Sequence, residues 1–258
     1  MNKFISVLCA ALISFNVASL SKIDLNSNYS SKELNWYFNP RNDGLPPEGA
    51  KDGIHLLQKF DSYYLGDTSK KILYLTFDEG YENGYTNKIL DTLKKYNIKA
   101  AFFVVKPYIK ANPEIIKRMH TEGHLVCNHS ANHPSMASIK DFSKFKTELT
   151  EVEEEYKKIT GSEMPKYFRP PMGKYSELSL NYTKELNYKT IFWSFAYKDW
   201  EVTKQPELEK AKKIILNRTH NGAIVLLHAV SKTNAEILED LIKSWVSNGY
   251  EIRPLSDL

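Results

Sequence analysis

Two histidines four positions apart follow a short apolar run in the middle of the chain. The run is Leu125–Cys127, and His129 and His133 come after it. If the residues after the strand coil into one turn, both imidazoles face the same side, about 5–6 Å apart at Cβ. Neutral imidazole is a ligand for zinc and its first-row neighbours. The spacing predicts a metal site, with two surface histidines in a loop as the alternative.

A hydrolytic metal site also needs a carboxylate that takes a proton from water. In the H-E-x-x-H motif a glutamate beside the first histidine has this role, but here the neighbour is Ser130. The carboxylate must therefore come from another part of the chain. In parallel α/β folds the reactive groups gather where the strands end. Polar side chains follow five predicted strands in this way: Asp78 and Glu79, His129 and His133, Arg169, Asp199 and Trp200, and His228.

These groups together suit hydrolysis of an amide or ester through a tetrahedral intermediate. A carboxylate that the metal does not fully engage would take the proton of water, and Arg169 would hold that carboxylate ionised. His228 would protonate a leaving amine, with Asp199 or Trp200 placing it. Backbone N–H groups that face the oxyanion would come from Met172 and Gly173. Taken singly, each residue has a structural alternative, and their shared location favours catalysis.

Strands and helices alternate from Lys71 onwards. The predicted strands are 72–77, 100–105, 125–128, 167–169, 190–195, 223–227 and 250–255. The predicted helices cover 85–96, 113–123, 140–159, a segment ending near 186, 207–218 and 235–246. This alternation implies right-handed βαβ units and a parallel sheet. Seven strands favour an α/β fold, an irregular and incompletely closed (β/α) barrel, over an open doubly wound sheet.

Composition and charge exclude several classes of protein. The chain has 258 residues, of which 42% are hydrophobic and 26% charged, a balance typical of a globular protein rather than a disordered one. The net charge of +4 is spread along the chain, so we expect no nucleic-acid partner. No Gly-rich turn follows the first predicted strand, where Asp78-Glu79-Gly80 stands instead, and this counts against nucleotide binding.

The N-terminal residues 1–20 have the pattern of an export signal. Lys3 precedes an apolar segment from Phe4 to Ala18, which is short for a membrane span. An uncleaved N-terminal anchor is the alternative. After cleavage Cys127 would be the only cysteine, which excludes an intrachain disulfide. Residues 21–66 are predicted to form an irregular, aromatic-containing arm that lies across the main domain, residues 67–258.

Five short motifs resemble those of the polysaccharide deacetylases with a NodB-homology domain, carbohydrate esterase family 4. The resemblance covers about residues 71–258. The motifs are Thr76–Gly80, His129–Pro134, Arg169–Gly173, Asp199-Trp200 and Leu226–His228. The resemblance implies a distorted (β/α)7 barrel of the glycoside hydrolase and deacetylase type. It also implies one divalent metal ion as cofactor, with zinc expected and cobalt or manganese as alternatives.

The resemblance assigns a role to each matching residue. Asp78 is implied to be the catalytic base, positioned by Arg169. His228 is implied to be the catalytic acid, tuned by Asp199. The residues implied to bind the metal are His129, His133 and Glu79. The residues implied to contact the substrate are Met172, Gly173, Trp200 and Leu226, the last of which lines a pocket for the acetyl group.

Three positions depart from the family pattern. Glu79 replaces an aspartate and is one methylene longer. It either reaches the metal through a different rotamer or leaves the ion to two histidines and water. Met172 stands where an aromatic residue is usual, and Ala196 where the fourth motif often has an earlier aspartate. The replacements at Glu79 and Met172 keep open the alternative of a catalytically inactive glycan-binding module.

The surroundings of the motifs narrow the resemblance further. Segments 76–86, 192–194 and 227–231 resemble the spore-cortex subgroup that removes the N-acetyl group from muramic acid on the way to muramic δ-lactam. We therefore expect the peptidoglycan glycan strand as substrate, with N-acetylglucosamine of peptidoglycan or chitin as the alternative. We also expect that an N-acetylmuramoyl-L-alanine amidase acts first. The protein is expected to be a monomer located in the cell wall or spore envelope.

Overall fold

The computed structural model describes residues 28–258, so the predicted export signal, residues 1–20, lies outside the described residues. The strands are β1 Leu34–Asn35, β2 Phe38–Asn39, β3 Glu48–Gly49, β4 Ser62–Tyr63, β5 Ile72–Glu79, β6 Ala101–Val104, β7 Leu125–Asn128, β8 Tyr167–Phe168, β9 Lys174–Tyr175, β10 Lys189–Ile191, β11 Ala223–His228 and β12 Glu251–Arg253. The α-helices are α1 Ile54–Lys59, α2 Thr86–Lys95, α3 Lys106–Ala111, α4 Pro113–Thr121, α5 Phe142–Thr160, α6 Glu177–Glu185, α7 Leu208–Asn217 and α8 Lys232–Ser247. Across this part of the chain, none of the helices combines the length and the apolar character that a membrane span requires.

A parallel sheet forms the centre of the molecule. Strand β5 pairs with β11 on one side and with both β6 and β12 on the other. The sheet continues from β6 through β7, β8 and β10 to β4. Beyond β10, Phe195 forms a bridge to Val225 of β11, which brings the far end of the sheet back to the β11 edge. The predicted α/β class and incompletely closed barrel are confirmed.

Burial explains why β5 is the central strand. All eight of its residues are buried, the pattern of a parallel strand that is covered on both faces. The helices cover the sheet with apolar stripes, for example Ile89, Leu90 and Leu93 of α2, all fully buried. Helix α5 begins at an N-cap, Asp141, which accepts a hydrogen bond from the Lys144 N–H. The outer helices therefore hold β5 and its neighbours in place, and with them the strand ends.

The segment before residue 67 is more regular than predicted. It contains helix α1 and four short strands, of which β1 pairs with β9. The Trp36 indole donates to the Trp193 carbonyl at 2.9 Å, and its ring stacks on Phe192 at 4.8 Å between centroids. The Trp36 N–H also donates to the Gly173 carbonyl at 2.8 Å. These contacts fix the segment against two loops that border the carboxyl ends of the strands.

Two strand boundaries differ from the prediction in ways that matter for the site. Strand β5 runs two residues further, to Glu79, and pairs there with Val104. Strand β10 ends at Ile191 rather than 195, because the Arg169 guanidinium donates to the carbonyls of Ile191 (3.1 Å) and Phe192 (3.3 Å) and occupies these acceptors. Helix α3, six residues long, was not predicted.

Candidate active site

A cavity of about 610 Å³ opens at the carboxyl ends of β5, β7 and β11. Seven of the predicted site residues line it: Asp78, His129, His133, Met172, Trp200, Leu226 and His228. Arg169 and Asp199 are buried directly behind this lining and hydrogen-bond to it. Glu79 and Gly173 do not line the cavity. Five strands and the loops after them thus bring together most of the residues that the sequence singled out.

Asp78 is a buried carboxylate held by a single arginine. Its Oδ1 accepts a hydrogen bond from Arg169 Nη1 at 2.7 Å, while Oδ2 lies 3.6 Å from the Nε2 of His129. Burial alone would raise the pKa of Asp78, but the charge of Arg169 and the nearby histidines outweigh it, and the pKa is lowered. Asp78 is therefore ionised at neutral pH, with one oxygen restrained and the other facing the cavity.

Arg169 is fully buried, and every side-chain nitrogen has a partner. Besides Asp78 and the two carbonyls described above, Nη2 donates to Thr76 Oγ1 at 3.0 Å. The guanidinium also lies over the Phe103 ring at 4.1 Å from its centroid. These contacts restrict the planar guanidinium to one orientation, so Arg169 fixes the position of the Asp78 carboxylate.

His129 and His133 face each other with ring centroids 4.9 Å apart. The Nδ1 of His129 is 2.8 Å from the Arg169 carbonyl, which requires Nδ1 to be the protonated nitrogen and leaves a lone pair on Nε2. Burial lowers the pKa of His129 to about 4 and also lowers the pKa of His133. Both imidazoles are neutral at pH 7, the state in which they ligate metals.

The loop that carries His133 is not the helical turn that the spacing suggested. Ser130 and His133 both have left-handed backbone angles, φ +70° and +56°. The His133 N–H donates to Ser130 Oγ at 3.0 Å, and the Ser130 N–H to Asn128 Oδ1 at 2.9 Å. Such conformations cost of order 1–3 kcal/mol each and occur preferentially at functional sites. The left-handed backbone angles bring the two rings together, and the side-chain hydrogen bonds of Asn128 and Ser130 stabilise this conformation.

The donor chemistry of the histidine pair fits a divalent ion. Two neutral imidazoles meet an ionised carboxylate oxygen, and all three line the same cavity. Over residues 28–258, no group of three or more His, Cys, Asp and Glu side chains is already arranged as a metal site. The protein donors to an ion here would accordingly be His129 and His133, with water completing the coordination.

The structure does not bring Glu79 to the histidines. The prediction placed both Asp78 and Glu79 after the end of the strand, but β5 includes them, and neighbouring strand residues point to opposite faces. Glu79 is completely buried, and its two carboxyl oxygens have no hydrogen-bond partner in the described part of the chain. Burial, together with the charges of Glu82 and Asp78, raises the pKa of Glu79 well above its usual value. A carboxyl on the far side of the strand is not placed as a ligand.

Met172 lines the cavity, whereas the adjacent Gly173 does not. Met172 lines the cavity with a left-handed φ of +59°, and its side chain is 54% exposed. Gly173 is buried, and its N–H donates to the Pro170 carbonyl at 3.1 Å, so this predicted oxyanion donor is already engaged. A Cβ at Gly173 would lie 2.9 Å from the Trp193 ring, at a φ of +66°. Glycine is required here for the close approach of Trp193 rather than for a substrate contact.

His228 is tied to Asp199 at two points. Its Nδ1 lies 2.7 Å from Asp199 Oδ1, and its backbone N–H donates to Oδ2 at 2.8 Å. Burial acts to lower the pKa of His228, but the hydrogen bond and charge of Asp199, with the charge of Asp78, raise it above its usual value. Nδ1 therefore carries a proton, and the ring presents Nε2 to the cavity opposite Asp78.

Several residues to which the sequence assigned no role in the site support this arrangement. Asn234, at the start of α8, donates to Asp199 Oδ2 at 2.6 Å and accepts a hydrogen bond from the Tyr197 hydroxyl. Asn128 donates to the Leu149 carbonyl and to the Tyr188 hydroxyl. Trp193, Tyr197 and Lys198 line the cavity wall. Their proximity to motif residues was the only available signal, and for Asn234 there was none.

The Asp199–His228 pair predicts how activity depends on pH. If His228 must be protonated to act, activity is lost as the pH rises through its pKa, which Asp199 raises. In Asp199→Asn the charge is removed, so the alkaline limb of the kcat–pH profile should move to lower pH. Deacetylation rates measured from pH 5 to 10 test this. Gln205 contacts Asp199 only at its backbone carbonyl and also donates to the Glu201 carbonyl, so Gln205→Ala is the control that should leave the limb in place. An unshifted limb in Asp199→Asn would contradict the pairing.

Comparison with known proteins agrees with this site. The sequence profile described as polysaccharide deacetylase matches residues 65–191. The "Peptidoglycan-N-acetylmuramic acid deacetylase PdaA" of Bacillus subtilis is 42% identical over 98% of this chain and 94% of its own length. The structure of Bacillus subtilis PdaA, a family 4 carbohydrate esterase, has a TM-score of 0.86 at 43% identity, covering 89% of this chain and 97% of that one. A family 4 carbohydrate esterase from Bacillus anthracis has a TM-score of 0.75, with the same identity and the same shares of both chains. The resemblance read from the five motifs is confirmed, and the chain belongs to the polysaccharide deacetylases of carbohydrate esterase family 4.

Proposed function

We propose that the chain is a metal-dependent hydrolase that removes the N-acetyl group from N-acetylmuramic acid in peptidoglycan. The observation that carries the proposal is the pairing of opposite proton-transfer groups across one cavity, an ionised Asp78 and a His228 of raised pKa. The choice of muramic acid rests on the likeness to the Bacillus subtilis deacetylase over nearly the whole chain. Acetate is the first product, and a free amine remains at C2 of the sugar.

Deacetylases of this family are metal-dependent in general. We assign the ion to His129 and His133, and we favour zinc because neutral imidazole is among its preferred ligands, with cobalt and manganese as alternatives. A bound divalent ion would polarise the acetamide carbonyl and make a water molecule more acidic. The remaining steps depend on groups that the chain itself provides.

Asp78 is the base of the proposed reaction. Arg169 restrains Oδ1, so Oδ2 is the oxygen that takes the proton of the attacking water. The lowered pKa keeps the carboxylate ionised over the neutral range, and the buried guanidinium keeps its orientation fixed through successive cycles. The attack gives a tetrahedral centre at the former acetamide carbon.

His228 is the acid that completes the reaction. An amine leaves a tetrahedral centre easily only when its nitrogen is protonated, because an amide anion is a poor leaving group. The Nε2 proton of His228 goes to this nitrogen, while Asp199 holds the Nδ1 proton and stabilises the charged ring. Proton donor and proton acceptor thus lie on neighbouring strands, since His228 and Asp78 are register partners in β11 and β5.

The walls of the cavity orient the sugar. Trp200 is 49% exposed, and its ring lies 5.6 Å from the His228 ring, so it offers an apolar face beside the acid. Leu226 is buried at the base of the cavity, where it would contact the acetyl methyl group. Met172 supplies a flexible apolar edge on the opposite loop.

The proposed product chemistry suggests where the enzyme acts in a reaction sequence. In muramic δ-lactam the freed amine is joined to the lactyl carboxyl group, with loss of water. This carboxyl is blocked while a stem peptide is attached, so we place an N-acetylmuramoyl-L-alanine amidase before this enzyme. We further propose that the chain is exported, acts as a monomer in the cell wall or spore envelope, and modifies the spore cortex.

The function is tested on glycan strands with and without stem peptides. Purified protein is loaded in turn with zinc, cobalt and manganese, and acetate release is followed by mass spectrometry of the digested strands. We expect the muramic residues of peptide-free strands to lose the mass of one acetyl group, with a hydrogen atom in its place. Loss from glucosamine residues instead would favour the alternative substrate. Binding without release under all three metals would favour an inactive module.

A further inference from the structure

We propose that Lys198 recognises the lactyl carboxylate of the muramic acid residue that is deacetylated. This inference deepens the proposed function and rests on it. Muramic acid differs from glucosamine by this acidic group on C3, the carbon next to the one that carries the acetamide. An enzyme that distinguishes the two sugars needs a cation close to its catalytic groups.

Lys198 is the cation that the active cavity offers. Among the residues that line the cavity, its side chain is the one with a fixed positive charge at neutral pH. Arg169 is completely buried and committed to Asp78, and the two neutral histidines carry no charge. His228 has its proton assigned to the leaving amine. The lactyl carboxylate therefore meets one available cation in the wall of the cavity, Lys198.

The backbone on either side of Lys198 is fixed relative to the catalytic acid. The next residue, Asp199, is buried and holds both the backbone and the ring of His228. The preceding residue, Tyr197, donates through its hydroxyl to Asn234, which in turn contacts Asp199. The lysine side chain thus extends from a rigid backbone position beside the group that protonates the amine.

The present partner of Lys198 does not prevent this role. Its Nζ lies 2.6 Å from Glu201 Oε1, and the lysine side chain is 64% exposed. Exposed pairs three residues apart contribute little stability and exchange readily with solvent. A substrate carboxylate can therefore share or replace Glu201 without a conformational change of the backbone.

A second cavity reinforces the positive field at this point. It has a volume of about 560 Å³ and shares Tyr197 and Lys198 with the active cavity. Three further cations line it, Lys204, Lys210 and Arg218, against one acidic residue, Glu207. Within residues 28–258, neither Lys204 nor Lys210 forms an ion pair with an acidic side chain. Unneutralised charges on one side of a cleft attract anionic ligands to it.

The test compares Lys198→Met with the wild-type protein on two matched substrates. One is the peptide-free glycan strand with its lactyl carboxylates free, and the other is the same strand with these groups coupled to methylamine. We expect KM for the free-carboxylate strand to rise about tenfold in Lys198→Met, with kcat changed less than about twofold, and KM for the coupled strand to stay as in the wild type. The difference should shrink at high salt.

Two controls separate charge recognition from structural effects. Lys198→Arg keeps the charge and should keep most of the preference. Lys213→Met makes the same substitution on the exposed surface of α7, in a different cavity, and should change neither KM. An equal rise of KM on both strands, or none on either, would overturn the role of Lys198 while the deacetylase proposal stands. Absence of acetate release by the wild type from both strands would overturn both.

Discussion

Asp78→Asn is expected to lower kcat for acetate release by at least about a thousandfold, the upper part of the range for loss of a general base. The amide cannot take a proton from water, although it has the same shape as the carboxylate. It can still accept a hydrogen bond from Arg169 Nη1, so the orientation of the guanidinium should persist. Steady-state acetate release from peptide-free strands, with the metal content of each preparation measured, gives the comparison.

Stability must be followed in the same experiment, because Asp78→Asn leaves the buried charge of Arg169 without its anion. Removing one partner of a buried ion pair typically costs about 3–5 kcal/mol. Thermal melting and far-UV circular dichroism therefore have to show that the variant is folded at the assay temperature. Asp141→Asn is the matched control, since asparagine caps a helix about as well as aspartate and Asp141 does not line the cavity. A folded Asp78→Asn that keeps more than about a tenth of the wild-type rate would rule out Asp78 as the base.

Much of this site could be predicted because parallel strands place their carboxyl ends at one edge. Asp78, His129, Arg169 and His228 each follow or end a recognisable apolar run, so their convergence required only the correct order of strands and helices. Hydrophobic periodicity determines that order well when runs are long and flanked by turn residues. The motif residues then come together although more than a hundred positions separate some of them.

The remaining details depend on where a strand stops, and local patterns do not determine this. The run 72–77 looks complete without Asp78 and Glu79, yet β5 continues through both residues. Strand β6 pairs with Asp78 and Glu79, and β11 pairs with Asp78. The two extra positions turn Glu79 away from the histidines. Similarly, β10 stops early because the side chain of Arg169, distant in sequence, takes its carbonyls.

Lys198 and Asn234 show a second limit of sequence reasoning. Each has a role that follows from a contact made in three dimensions: Asn234 through Asp199, and Lys198 through the cavity wall that it shares with His228. Lysine on a loop and asparagine near a helix start are common surface choices. Spacing alone therefore carries no signal for either residue, although Lys198 directly precedes the motif residue Asp199.

His228→Ala is expected to lower kcat for glycan deacetylation by at least about a hundredfold, with an effect that depends on the leaving group. The amine of the sugar needs a proton to leave, whereas the phenolate of an aryl acetate does not. In His228→Ala, the hydrolysis rate of an aryl acetate with an acidic phenol should therefore fall only a few-fold. In Asp78→Asn, the rates on the aryl acetate and on the glycan should fall equally severely, because both substrates need the attacking water to lose its proton.

This contrast between the two variants separates the acid from the base without relying on the size of either loss. His55→Ala, the same substitution at an exposed position of α1, controls for the loss of an imidazole and should leave both rates unchanged. Asp199 keeps its hydrogen bonds to Asn234 and to the backbone of residue 228 in the alanine variant, so the loop should remain ordered. Equal losses on the glycan and the aryl ester in His228→Ala would assign the histidine to stabilisation of the tetrahedral centre, and protonation of the amine would then need another donor.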